Sequence, residues 1–329
     1  MALCFLVVVL GAYVRLTAAG LGCPDWPGCY GHLTPSGAAH DAAPGAYAGR
    51  PLESGKAWRE MIHRYAAGTL ALVILAIAAL AVRARRARPV SLPLSFTLVA
   101  AVIVQALLGM LTVTWQLTPL IVTAHLLLGL TTLGLLWWLA LSLPASPWGA
   151  SSLGSAGRAL RGGAASIASA RHLAVLGLVA LAVQIALGGW TSSNYAAIAC
   201  PDFPLCQRAW WPPADFRDAF VLWHGIHLDY EGGLLGNAAR TAIHLTHRLG
   251  ALVASAALIL AAVFTLRQRG LSGARYRAWA VLGALALQLL IGVSMVLRGF
   301  PLWLATAHTA GAALLLLAVL ALLRYLSAR

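Results

Sequence analysis

Charge is scarce in this chain. Only 10% of its 329 residues are Asp, Glu, Lys or Arg, against roughly 25% in soluble domains. That shortfall excludes an ordinary soluble enzyme and a disordered chain. Acidic residues number nine, and lysine occurs once, at Lys56, so 22 of the 23 basic residues are arginine. The net charge of +14 does not describe a nucleic-acid-binding surface, because the arginines sit in short clusters between long apolar runs. Five cysteines are too few for a disulfide scaffold. No G-x-G-x-x-G and no P-loop occurs, so bound nicotinamide or ATP is not expected.

What fills the chain instead is hydrophobic sequence, 60% of all residues. A spanning helix needs about 20 mostly apolar residues. Eight runs qualify, at 2–19, 61–82, 93–114, 121–143, 172–190, 241–266, 278–297 and 304–325. The first is short and carries Arg15; with no basic stretch before it, it reads as a spanning segment rather than a signal peptide. The expected class is an all-α integral membrane protein with eight transmembrane helices. If the segments alternate, 13 arginines fall on one side: Arg83, Arg85, Arg86, Arg88, Arg158, Arg161, Arg171, Arg267, Arg269, Arg275, Arg277, Arg324 and Arg329. The positive-inside rule makes that side the cytoplasm and places both termini there. All nine acidic residues fall on or near the outer side.

The sequence repeats itself. CPDWPGC at 23–29 matches CPDFPLC at 200–206, and His63-Arg64 matches His247-Arg248. QALLG at 105–109 matches QLLIG at 288–292, and TAHLLLG at 123–129 matches TAHTAGA at 306–312. Each half then holds four segments in the same orientation, related by an axis along the membrane normal. The expected divisions are an N-terminal four-helix bundle (1–143), a cytoplasmic linker (144–171) and a C-terminal four-helix bundle (172–329).

Four histidines occupy equivalent repeat positions: His63 and His125 in the first half, His247 and His308 in the second. Each opens a segment running inward from the outer face, so all four sit at similar depth. One histidine in such a helix reads most simply as a hydrogen-bonded packing residue. Four at matched positions point to function, because intramembrane ionisable groups are costly. Two imidazoles facing each other across a bundle form a natural axial pair for haem iron. Zinc is a rival but usually wants four ligands or a carboxylate-supported site. No C-x-x-C-H for covalent haem attachment occurs.

The halves differ three residues before the His-Arg pair, where Glu60 stands in the first and His244 in the second. Spacing of i, i+3 puts Glu60 on the His63 face of its helix. It reads either as an interfacial partner of Arg59 or Arg64, or as a carboxylate that moves protons or stabilises charge beside a reacting group. Near the membrane boundary it is expected to stay accessible to water. His244 could replace His247 as a ligand, but His247 keeps register with the first half. Each outer loop carries a C-x5-C segment containing two prolines. Cys23 with Cys29, and Cys200 with Cys206, could form structural disulfides, redox-active disulfides or metal sites; they face the oxidising side. Cys4 lies in the first segment. His224, His227, Asp229 and Glu231 form a polar outer cluster, read as solvated or surface-bound with metal binding as the rival.

In YVRLTAAGLGCPDWPGC, WREMIHR, TAHLLLGL, CPDFPLC, AIHLTHRLGA and TAHTAGA the chain resembles the haem A synthase family, in order and over essentially its whole length. Family members carry a longer first segment. The resemblance implies two four-helix bundles in the bacterial cytoplasmic (inner) membrane and oxidation of the C8 methyl of haem O to a formyl group. It implies a haem b cofactor held by His247 and His308, substrate haem on His63 and His125, a catalytic Glu60 and a Cys23–Cys29 disulfide. Methyl-to-formyl conversion removes four electrons and passes through hydroxylated intermediates, so it needs an oxidant and an electron donor. Haem O synthase is a conceivable partner; nucleic acid is not. The alternatives are a di-haem b electron-transfer protein of the quinol-oxidising type, which accounts less well for Glu60, and a haem transporter.

Overall fold

Apolar runs of this length form helices because lipid offers no partner for backbone N–H and C=O groups, so each segment must satisfy its own. The computed structural model describes residues 1–40, 50–83, 91–143, 164–225, 228–268 and 272–328. In chain order the helices are α1 (Ala2–Leu16), α2 (Pro35–His40), α3 (Ser54–Arg83), α4 (Leu92–Thr114), α5 (Pro119–Ser142), α6 (Ala164–Ser193), α7 (Phe216–Ala219), α8 (Asn237–Arg267), α9 (Ser272–Leu297) and α10 (Leu302–Ser327). Among the described residues, seven of these are long and apolar enough to cross a membrane. The chain is a multi-pass, all-helical membrane protein. Helix α1 has 15 residues, short of the roughly 20 a perpendicular span requires.

Hydropathy located the middle of each span but not its ends. Helix α3 begins at Ser54, not 61, and α8 at Asn237, not 241. Their outer turns are polar and project beyond the apolar run. Residues 164–171, expected as linker, are the first turns of α6. Residues 144–163 lie outside the described residues, as do Arg85, Arg86, Arg88, Arg158, Arg161, Arg269, His227 and Arg329.

Helix α1 packs against α3 and α5, α3 against α4, and α4 against α5. In the second half α6 packs against α8, α8 against α9, and α9 and α6 against α10. Contacts of α1 with α10, and of α5 with α6 and α10, join the two sets. Trp137 on α5 donates its indole N–H to the Leu317 carbonyl on α10 at 3.0 Å. Arg15 closes one end of this seam. Its guanidinium donates to the Ser192 and Ser193 carbonyls at 3.1 and 3.3 Å and lies over the Tyr195 ring at 4.2 Å. That explains an arginine at the end of an apolar helix. The outward surface carries Leu72, Leu80, Val179, Leu252, Val253 and Leu290, all exposed, as befits side chains whose solvent is lipid.

The sequence repeat is also a repeat of backbone conformation at the turns. Helix α4 passes to α5 through Gln116 and Leu117, both at positive φ, and α9 passes to α10 through Gly299 and Phe300, also both at positive φ. The same long-turn hydrogen bond closes each hairpin: Leu117 N–H to the Thr112 carbonyl, and Phe300 N–H to the Met295 carbonyl, both 2.8 Å. The ends of α1 and α6 match likewise, with Ala18 and Tyr195 at positive φ.

Candidate functional site

Two covalent loops cap the N-terminal ends of α3 and α8. Cys23 is bonded to Cys29, and Cys200 to Cys206. Free Cys4 is buried. Inside the loops the Trp26-Pro27 and Phe203-Pro204 bonds are both cis. Asp25 accepts from the Tyr30 and Gly31 N–H groups at 2.6 and 2.8 Å. Asp202 accepts from Gln207 and Arg208 at 2.7 and 2.8 Å. The little burial that Asp202 has pushes its carboxyl up, but these N–H groups outweigh it and hold the acid below its usual range.

The arginine of each His-Arg pair locks its loop to the helix. Arg64 donates to the carbonyls of Asp25, Pro27 and Gly28 at 2.9, 3.2 and 2.6 Å. Arg248 donates to Leu205 and Asp202 at 2.7 Å each, and to Cys200 and Pro204 at 3.2 and 3.4 Å. A guanidinium fork suits several carbonyls at once; an ammonium does not. We predict that Arg248→Leu costs about 2 kcal/mol or more and lowers the thermal midpoint in detergent by roughly 5 °C. Thermal unfolding of the purified variant checks this, and an unchanged midpoint would make the clamp energetically idle.

Below the loops stand the four histidines. They do not open their helices, as the apolar runs suggested. His63 and His247 lie nine and ten residues into α3 and α8, and His125 and His308 six residues into α5 and α10. Matched helices therefore carry their imidazoles at matched depths. His63 and His125 are close enough to interact electrostatically, as are His247 and His308. Each ring faces a glycine on the adjoining helix. A methyl group at Gly11, Gly109, Gly188 or Gly292 would lie 2.9, 3.3, 3.2 or 3.0 Å from Cε1 of His63, His125, His247 or His308 respectively. A Cβ at Gly11 would clash outright, and at the other three glycines the ring would have to give by a few tenths of an ångström.

Sequence reasoning passed over three glutamines that grip these histidines. The Gln105 amide N–H donates to the His125 carbonyl at 3.0 Å and lies 3.4 Å from its Nε2. Gln288 donates to the His308 carbonyl at 3.1 Å and lies 3.3 Å from both ring nitrogens. Gln184 donates to the His247 carbonyl at 3.0 Å and lies 3.1 Å from Nδ1. The available signal was a glutamine in an otherwise apolar helix, where a polar group is expensive.

Glu60 is buried, at 4% exposure, not water-accessible as its boundary position suggested. The loop folds over it: Cys23 donates its N–H to Oε2 at 2.8 Å, and Arg64 pairs with Oε1 at 2.6 Å. Of the two arginines considered as partners it takes Arg64. His244 is also buried and stands edge-on to Phe300 with ring centroids 6.4 Å apart.

Of the polar loop cluster, His227 lies outside the described residues, and Asp229 and Glu231 line one cavity. His224 is exposed, and Asp229 pairs with Arg50 at 3.0 Å. With Glu231, Glu53, Lys56 and Tyr30, this pair lines a cavity of about 250 Å³ above the first half. Tyr230 plugs into the first half beside Leu21, Val113 and Leu117, so a loop from the second half straps the outer end of the first. Among the described residues no group of three or more His, Cys, Asp or Glu side chains is arranged to hold a metal ion. Were a haem bound, His63 with His125 and His247 with His308 would be the residues to hold its iron. The buried, unpartnered Nδ1 atoms of His63 and His125 fit histidines shaped for a ligand rather than for packing.

Comparison with known proteins bears on this arrangement. The family described as cytochrome oxidase assembly protein matches residues 1–320. A haem A synthase from Shewanella oneidensis is 42% identical over 95% of this chain and 90% of its own. Haem A synthases from Nitrosospira multiformis and Caulobacter sp. are each 30% identical, over 97% and 95% of this chain and 89% and 90% of their own.

Proposed function

Since the chain belongs to the cytochrome oxidase assembly protein family, we propose that it is a haem A synthase, a membrane oxidoreductase that oxidises the C8 methyl of haem O to a formyl group. The observation that carries the site assignment is the matched set of four helix-borne histidines with a buried carboxylate, Glu60, three residues before the histidine of one half only. His63 and His125 hold the substrate haem, and Glu60 makes that half the reactive one. His247 and His308 hold a resident haem b. Haem b, when bound there, supplies a one-electron relay for a reaction that removes four electrons. The alternative of a di-haem electron carrier gains no support from the family match.

The residues around Glu60 divide the work. Arg64 and the Cys23 N–H fix the Glu60 carboxylate from two sides. Each of its oxygens keeps a further lone pair, so the group can accept a proton from a hydroxylated carbon or stabilise positive charge developing there. The disulfide loop, locked by Arg64, covers the carboxylate and keeps bulk water from it. In this reading α1–α5 and α6–α10 are two pseudo-symmetric four-helix bundles, and α1 is the eighth, short or thinned span. Arginine placement puts both termini in the cytoplasm. Haem O would come from a haem O synthase, and a membrane electron donor would complete the turnover.

Pigment extraction from the purified protein tests the function. Haem O, its hydroxylated form or haem A alongside haem b is the expected result. Two equivalents of haem b with no modified haem would return the protein to the electron-carrier reading.

A further inference from the structure

Three of the four histidines are gripped by a glutamine, and the fourth is not. Gln105, Gln184 and Gln288 each hold a histidine's carbonyl and approach its ring. Among the described residues His63 has no such partner, and its Nδ1, like that of His125, is buried and unbonded. The reason lies in α1. Disulfide loops and helix-end turns align α1 with α6 at a constant offset, pairing Cys23 with Cys200, Ala18 with Tyr195 and Gly11 with Gly188. That register puts Val7 where the second half has Gln184. Val7 is buried in the apolar core and has nothing to offer an imidazole.

The glutamines carry an unfilled capacity. The Oε1 atoms of Gln105, Gln184 and Gln288 are all buried without a hydrogen-bond partner, a state that costs free energy. A half-turn of the Gln184 amide would present Oε1 to His247 Nδ1 in exchange for the bond its Nε2–H now donates to the His247 carbonyl. Accepting a proton there fixes the tautomer that leaves Nε2 free for iron, and raises the imidazole's donor strength.

We propose that the Gln184/Val7 difference sorts the two haem sites: Gln184 is the positioning residue that makes His247 a permanent ligand, and unsupported His63 is the ligand that releases substrate and product haem. His125, held by Gln105, is the anchored ligand of the exchanging site. This rests on the assignment of haem b to the second half and of substrate haem to the first. The difference suits the task, because a catalyst that turns over haem must let one haem go while keeping the other.

The test is haem transfer from the purified full-length protein to excess apomyoglobin, followed optically, with redox titration of the retained haem. The parent protein is expected to lose haem in a fast and a slow phase. Gln184→Val should accelerate the slow phase at least tenfold, within the 10–100-fold typical of lost outer hydrogen bonds to metal ligands. Val7→Gln should slow the fast phase by a similar factor. Gln184→Glu should keep the haem and lower its midpoint potential, because a carboxylate accepts more strongly from Nδ1–H; a merely space-filling role would leave the potential unmoved. If Gln184→Val retains haem as the parent does and Val7→Gln releases it no more slowly, the proposal is overturned. His247→Ala separates the two levels of inference. Loss of the slow-phase haem in that variant with unaltered Gln184→Val kinetics sinks only the glutamine's role, whereas retention of that haem sinks the assignment beneath it.

Discussion

Alanine at His247 or His308 is expected to abolish the low-spin haem b spectrum of the purified protein, whereas alanine at His63 or His125 should leave that spectrum standing and remove bound haem O. Losing even an outer hydrogen bond to a metal ligand costs roughly 10–100-fold in affinity, so losing the ligand itself should exceed that. The fold should survive. Each imidazole faces a glycine across a helix contact, and the large apolar cluster that joins the helices contains none of the four histidines. The Cys200–Cys206 bond and the Arg248 clamp hold the outer end independently of His247. Optical and paramagnetic resonance spectra of the four variants, beside a haem-to-protein ratio, decide the matter. Full haem b in His247→Ala or His308→Ala would falsify the assignment.

Much of this site was legible because the chain states it twice. A lone His63 in an apolar helix reads as a packing residue, but its recurrence as His247, with His125 recurring as His308, argues against that reading. The two C-x5-C segments were legible for the same reason, and both proved to be disulfides. Where the repeat breaks, the sequence was less informative. Gln184 has no repeat partner because Val7 replaces it, so duplication drew no attention to it. Gln105 and Gln288 were in view within QALLG and QLLIG, yet served only to set the register. Arg64 and Arg248 were noticed beside the histidines, but their real partners are carbonyls of a loop some 36–48 residues away in sequence. Nothing local encodes such contacts. Helix ends were misplaced because hydropathy measures the bilayer, and α3 and α8 continue past it into polar sequence. The strap that seats Tyr230 in the first half depends on packing between halves, which periodicity does not report.

Glu60→Gln is expected to leave haem b bound and haem O binding intact while cutting haem A formation at least tenfold. The substitution preserves shape and one of the two hydrogen bonds. A carboxamide oxygen can still accept the Cys23 N–H that now meets Oε2 at 2.8 Å. Arg64 loses its partner at Oε1 but keeps the carbonyls of Asp25, Pro27 and Gly28, so the loop should stay seated. What disappears is a negative charge and a proton-accepting oxygen in a site that excludes water. Charges act most strongly where the surroundings are least polarisable, and Glu60 is almost wholly buried. A tenfold loss corresponds to about 1.4 kcal/mol of barrier, a modest demand on a group placed for general-base or electrostatic work. Pigment analysis of cells producing the variant reads the outcome and places the step. Accumulated haem O assigns Glu60 to the first oxidation; accumulated alcohol assigns it to the second. Arg64→Gln serves as the control for a loop-anchoring role, since it breaks the same ion pair from the other side while leaving the carboxylate in place. Normal haem A from Glu60→Gln, with impaired loop stability in both variants, would reduce Glu60 to a structural partner of Arg64.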